Sequence, residues 1–128
     1  MVKLVFAIRR RRDVPEEDFH RYWLEEHGPL ARRLLESLGA RRYVQTHTVQ
    51  PDLNAALAAG RGTIEAYDGL AEISWDSLEA MIAASTSEEG LRANETLRED
   101  EARFIDFERS SLFLAEEHEI FTGPGGGA

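Results

Sequence analysis

An apolar helical stripe that runs into a histidine and a helix-interrupting Gly-Pro constrains this chain more than any other stretch: Phe19-His-Arg-Tyr-Trp-Leu-Glu-Glu-His-Gly-Pro-Leu30. With Phe19 at zero and about 100° per residue, Trp23, Leu30 and Leu34 fall within roughly 60° of it, and His27 sits near 80° at the stripe's margin. Pro29 has no N–H for the carbonyl of Glu25 and its ring crowds that carbonyl. The spacing therefore predicts a kink or stop near His27 and a restart with Pro29 in an N1-like position. Unpaired carbonyls and the negative end of a short helix dipole would then favour a protonated imidazole. His27 is the leading candidate for a proton-handling residue.

The flanking pattern supplies the elements that such a helix packs on. Val2 to Ile8 is apolar on both parities, as in a strand covered on both faces, and Arg9 to Arg12 end it. Asp13 as N-cap, Pro15 and the acids Glu16 and Glu17 open the kinked helix, which runs to about Leu38 before Gly39. Arg42 to Gln50 reads as a second strand with Tyr43, Gln45, His47 and Val49 on one face. Residues 51–69, punctuated by Pro51, Asn54, Gly60, Gly62 and Gly69, read as a long loop partly covering a pocket. Leu70 to Trp75 is the third strand. Asp76-Ser-Leu-Glu79 is a capping box for Leu78 to Ser85, Ser87-Glu-Glu-Gly caps a further helix to about Phe104, and Ser111 to Ile120 is the last strand.

The order β-α-β-loop-β-α-α-β predicts an α+β, ferredoxin-like split βαβ domain over residues 1–121, with a four-stranded antiparallel sheet and helices on one face. Leu4, Phe6, Val44, Ile73 and Phe113 are too apolar a set to leave to water on the other face, which predicts that a second copy covers it. The Gly-rich tail, 122–128, lacks side chains to offset its ordering entropy and is expected to be disordered.

At 128 residues one core is expected, and the absence of cysteine excludes disulfides, thiolate metal sites and a cysteine nucleophile. A net charge of −9, from 24 acidic and 15 basic residues, opposes binding to nucleic acid or anionic membranes. No apolar run approaches the roughly 20 residues of a membrane span, and Met1 to Ile8 is too short for a signal peptide, so a cytoplasmic location is expected. Arg9 to Arg12 read as the solvated exit of a strand, the alternative being a grip on a phosphate or carboxylate.

Four segments together resemble the EthD family of the dimeric α+β barrel superfamily: Val2-Lys-Leu-Val-Phe6, the Phe19 to Leu30 stretch, Tyr67-Asp-Gly-Leu-Ala-Glu72-Ile-Ser-Trp75, and Ala115-Glu-Glu-His118-Glu-Ile. The resemblance spans residues 2 to 121. It implies a homodimer whose two sheets pack face to face, with a pocket in each subunit between the sheet and its own helices. Related barrels include cofactor-independent monooxygenases and cyclases, lactone isomerases, small decarboxylases and haem-degrading enzymes.

For catalysis the sequence offers His27 and His47, one from the first helix and one from the strand beneath it, because a histidine titrating near pH 6.5 can give or take a proton at cellular pH. Glu72, inside the third strand, is costly unless paired and could hold a histidine tautomer or act as a base. Tyr22, Tyr43 and Trp75 are candidates to line a cavity and orient a ligand's oxygens. His20 and His27 lie two turns apart, roughly 10 Å in rise, too far to share an ion, so no metal site is assigned. Together with what the EthD resemblance implies, these residues predict a homodimeric, cofactor-independent enzyme doing acid/base chemistry (cyclisation, isomerisation, lyase or decarboxylation) on a hydrophobic, oxygenated, aromatic or polyketide-like small molecule. The alternatives are a cofactor-independent monooxygenase, a haem-binding barrel with His27 or His47 as axial ligand, and a non-enzymatic dimeric ligand-binding or accessory protein of a catabolic operon.

Overall fold

Apolar residues on both parities place β1 (Val2–Ile8) inside a sheet, where it pairs antiparallel with β3 (Gly69–Trp75) on one side and β4 (Ser111–Glu116) on the other. β2 (Arg42–His47) pairs antiparallel with β3, giving the order β2-β3-β1-β4 of the ferredoxin-like split βαβ plan. The computed structural model describes residues 2–125. The expectation of a disordered tail falls partly on residues 126–128, which lie outside the described residues. Among the described residues no helix is long and apolar enough to cross a membrane.

Cross-strand partners share a face, so the register decides which residues meet the helices. Leu4 stands opposite Ile73 and Leu114, Phe6 opposite Ala71 and Leu112, and Ile73 opposite Tyr43. This face packs under the helices in two clusters, one around Ile8, Phe19, Trp23 and Phe104, the other around Ala31, Leu35, Trp75 and Ala84. The expected bare face is corrected accordingly: Leu4, Phe6 and Ile73 belong to the helix side. The opposite side carries Val5, Val44, Leu70 and Phe113 with the Lys3–Glu72 ion pair, whose Nζ–Oε2 distance is 3.1 Å.

The first helical region is corrected too. It neither stops nor restarts at Pro29: α1 (Glu16–Tyr22) passes through one π-helical turn, Trp23–His27, directly into α2 (Gly28–Ser37). The Gly28 N–H reaches back to the Trp23 carbonyl, one residue further than an α-helical bond. The extra residue changes the phase of the buried stripe. On an unbroken α-helix, Phe19 and Ala31 would sit about 120° apart, as would Trp23 and Leu35; with one residue absorbed they come within about 20°. All four are buried, whereas Leu30 and Leu34, which an unbroken helix would place on the stripe, are only half-buried.

Residues 51–69 are not wholly a loop. Gln50 takes a left-handed φ of 57° and α3 (Pro51–Arg61) follows, Pro51 occupying its first turn. Its alanines supply helix propensity without a buried face, and Leu53 and Leu57 are exposed. Ser77, not Asp76, caps α4 (Leu78–Thr86) by accepting from the Ala80 N–H at 3.0 Å, while Asp76 binds Arg41. Ser87 caps α5 (Glu88–Glu101) through the Gly90 N–H. Only glycine fits at Gly90, where a Cβ would fall 1.7 Å from the Ala84 carbonyl oxygen. This tight corner folds α5 back over the sheet.

Three of the four arginines after β1 brace the fold, while Arg12 is exposed. Arg9 is buried, donates to the carbonyls of Glu65 and Ala66 at 3.1 Å each, and lies 4.2 Å over the Tyr67 ring. Arg10 donates to the Val14 carbonyl, and Arg11 to Asp13 and the Ala102 carbonyl. These bonds tie the end of β1 to the segments before β3 and after α5.

Candidate active site

The π turn aims His27 inward, under α5, where its side chain is 5% exposed. Leu97 and Phe104, seven residues apart, define the buried side of α5 and of the turn after it, and Asp100 and Glu101 fall between them on that side. His27 Nδ1 therefore meets Asp100 Oδ2 at 2.7 Å, and Nε2 lies 3.7 Å from Glu101 Oε2. Tyr22 Oη donates to the other Asp100 oxygen at 2.5 Å, and the Phe104 ring packs edgewise on the imidazole at 5.2 Å.

This arrangement fixes proton positions. The Asp100 carboxylate already accepts from Tyr22, so the Nδ1 atom facing it carries the hydrogen, and in neutral His27 the Nε2 lone pair is left bare. Burial pulls the His27 pKa below its ordinary value, and the bond to Asp100 offsets this only in part. The protonated ring expected from a helix end is thus corrected: the helix does not end there, so no dipole terminus faces the ring, and desolvation wins. Burial and the neighbouring Asp100 charge push Glu101 the opposite way, up to about 7. Burial and Asp100 push the Tyr22 phenol up to about 12, so it stays a donor.

His27 and Glu101 border a cavity of about 250 Å³ between the helix face of the sheet, α2 and the α4–α5 corner. Leu4, Phe6, Ala71, Ile73, Leu35 and Leu97 make it largely apolar, Tyr43 and Trp75 contribute from β2 and β3, and exposed Ser85 and Asn94 sit on the α4–α5 side. By comparison with a dry 150 Å³ cavity that holds benzene, there is room for about two fused rings.

The predicted site residues divide. His27, Tyr43 and Trp75 share this cavity. Tyr22 stands behind it, bonded to Asp100. His47 is kept from His27 by the indole of Trp23, which lies 4.3 Å from its ring, and pairs instead with His20, Nδ1 to Nδ1 at 2.8 Å. Glu72 lies on the far face of the sheet with Lys3, so it cannot reach His27. Asp100 and Glu101 were not singled out from the sequence, because Arg98-Glu-Asp-Glu-Ala-Arg103 looks like a solvated charge run. Their place between Leu97 and Phe104 was the available signal.

A ferredoxin-like sheet with a histidine–carboxylate cavity under its helices defines a small α+β domain of the ferredoxin-like class. The sequence matches the EthD domain family over residues 11–108, and the chain belongs to that family. No curated protein matches it significantly. Among solved structures it resembles an EthD family protein from Bacillus halodurans at 23% identity and TM-score 0.61, covering 92% of this chain and 99% of that one. A protein from Arabidopsis thaliana matches at 14% identity and TM-score 0.60, covering 94% and 99%. A third, from Bacteroides fragilis, described as dimeric with a ferredoxin-like fold and of unknown function, matches at 15% and 0.57, covering 91% and 95%.

Proposed function

We propose that this EthD-family chain is a cofactor-independent proton-transfer enzyme, of isomerase, cyclase or lyase type, acting on a hydrophobic, oxygenated, aromatic or polyketide-like molecule. The observation that carries the reading is the His27 Nε2 lone pair, held in place by Asp100 at 2.7 Å and facing Glu101 across 3.7 Å at the edge of an apolar cavity. Environments that push a base down and an acid up favour a neutral imidazole and a neutral carboxylic acid side by side. His27 would take a proton from carbon or oxygen of the ligand, and Glu101 would return one to a neighbouring atom. Asp100, acting through the ring, is a positioning residue, with Tyr22 fixing its carboxylate.

The same reading makes the protein a cytoplasmic homodimer. The open sheet face carries Val44, Phe113 and Leu70, and a second copy packed on it sheet to sheet would bury them, as the dimeric Bacteroides fragilis relative suggests. The net charge of −9 keeps nucleic acid off the list of partners.

The test is deuterium uptake at the acetyl carbon of 2-acetylnaphthalene in D2O at pH 7, followed by NMR. The protein should speed the exchange above buffer and His27→Gln should abolish the gain. No acceleration, or acceleration that survives His27→Gln with the fold intact, overturns the assignment.

A further inference from the structure

Hydrogen bonds behind the cavity wall form a chain with one direction. The Trp23 carbonyl can only accept, so the Gln45 atom 2.8 Å from it is the amide nitrogen, and the same NH2 donates to the Tyr43 hydroxyl at 2.8 Å. Gln45 Oε1 then faces His47 Nε2 at 2.8 Å, which requires a proton on that nitrogen. In the neutral ring His47 Nδ1 is an acceptor, and it takes the Nδ1–H of His20 at 2.8 Å. Every donor in the series His20, His47, Gln45 points towards Tyr43.

At the end of the chain, the Tyr43 oxygen is already accepting, so its own hydrogen is left to give. No acceptor for it is found among the described residues, and Tyr43 lines the cavity. Its cross-strand neighbour is Ile73, and two residues along β3, about 7 Å further, comes Trp75. Trp75 is 4% exposed, lines the same cavity, and its buried Nε1–H has no partner. A buried N–H without an acceptor is costly unless something supplies one. Two donors on one wall of an apolar cavity lack acceptors.

We propose that Tyr43 and Trp75 form a donor-only subsite for the carbonyl oxygen of an aryl ketone or quinone-like ligand, its polarity set by Gln45, His47 and His20. This deepens the proposed function by naming the substrate class; it rests on the cavity being the ligand site but not on His27 acting as a base.

The probes are 2-acetylnaphthalene and its isostere 2-isopropenylnaphthalene, which lacks the oxygen, titrated into the intact protein by calorimetry and 1H–15N NMR. The ketone should bind about tenfold tighter, as expected for one or two unshared donors, and should move the Trp75 indole N–H resonance where the alkene does not. Tyr43→Phe and Trp75→Phe should each reduce the preference. The positioning role is read separately: His47 should show the Nε2–H tautomer, His47→Leu should lower the preference, and His47→Gln, which can still donate to Gln45, should restore it. Equal affinities, no binding of either compound, or an unmoved Trp75 resonance overturns the subsite; a His47 ring protonated on Nδ1 alone overturns the directional chain. Preserved ketone preference without deuterium exchange would reject the catalytic assignment while leaving the subsite standing.

Discussion

Trp23 and Gly69 occupy one volume: a Cβ built on Gly69 would fall 2.5 Å from Cζ3 and 2.7 Å from Cη2 of the indole. That indole separates His27 from His47, and its backbone carbonyl orients Gln45. The absence of a side chain at one end of β3 therefore determines how closely the π turn seats on the sheet.

Gly69→Ala should accordingly destabilise the fold by about 1–3 kcal/mol, since the new methyl meets both the indole and the Thr46 carbonyl oxygen at 2.7 Å. Gly60→Ala, in exposed α3 with nothing within 4 Å, should stabilise by about 0.5–1 kcal/mol. Urea denaturation compares the two, and similar effects would contradict the packing described.

Glu101→Gln should change the pH dependence of stability. A carboxyl raised from an ordinary 4.5 to about 7 contributes stability that is fully present below pH 4.5 and lost as pH rises to about 7. The variant should therefore be more stable than the parent at pH 8, by on the order of 2–3 kcal/mol relative to pH 4.5. What slope remains should have the opposite sign. Buried His27 and half-buried His47, both held below the ordinary 6.5, resist protonation in the folded state and so weaken the fold as pH falls below that value. Denaturation at pH 4.5, 6 and 8 checks both signs.

Asp100→Asn should leave the cavity in place but remove the charge that partly supports the His27 proton. The His27 pKa should drop further, and the proton-transfer rate should fall by about 10²- to 10⁴-fold as the ring loses its fixed tautomer. NMR titration of the His27 ring reads the first effect independently of any substrate. An unchanged titration would mean that Asp100 is not the partner that sets this ring.

Phe113→Glu and Val44→Glu, on the open face of the sheet, should convert a dimer of about twice 14.4 kDa to a monomer in light scattering. A monomeric parent protein at micromolar concentration would remove the sheet-to-sheet assembly.

Strand periodicity carried the four strands, and Ser87 the start of α5; Asp13, expected to cap the first helix, instead binds Arg11, and α1 starts after Pro15 with no side-chain cap. Ser87 and the two-parity pattern of β1 are local signals that tertiary packing did not need to override. Two features were invisible to an unbroken 3.6-residue wheel. The wheel put Leu30 and Leu34 on the buried stripe, whereas the buried pairs are Phe19 with Trp23 and Ala31 with Leu35; their 12-residue offset was the sign of a residue too many. Asp100 and Glu101 were lost in a charge run for a different reason. Only the α4–α5 corner at Gly90 turns that run over the imidazole, and a contact across 73 residues leaves no local trace. His47 was recognised as a polar group worth attention but assigned to the wrong partner, because sequence spacing cannot show an indole standing between two rings.

The π turn has a consequence for how this segment can vary. Side chains at Leu24, Glu25 and Glu26 face outward and are exposed, so substitutions there should be nearly silent. Removing any one of the three would let the ladder rewind as continuous α-helix with Phe19 and Ala31, like Trp23 and Leu35, eleven residues apart and still within about 20° of each other. Rewinding at the present length would instead swing Ala31 and Leu35 about 100° away from the sheet and unseat the imidazole. The stretch is thus permissive in composition and can give up one residue without losing its phase, and a homologue lacking that single residue would be expected to carry its histidine on the buried side of an unbroken helix.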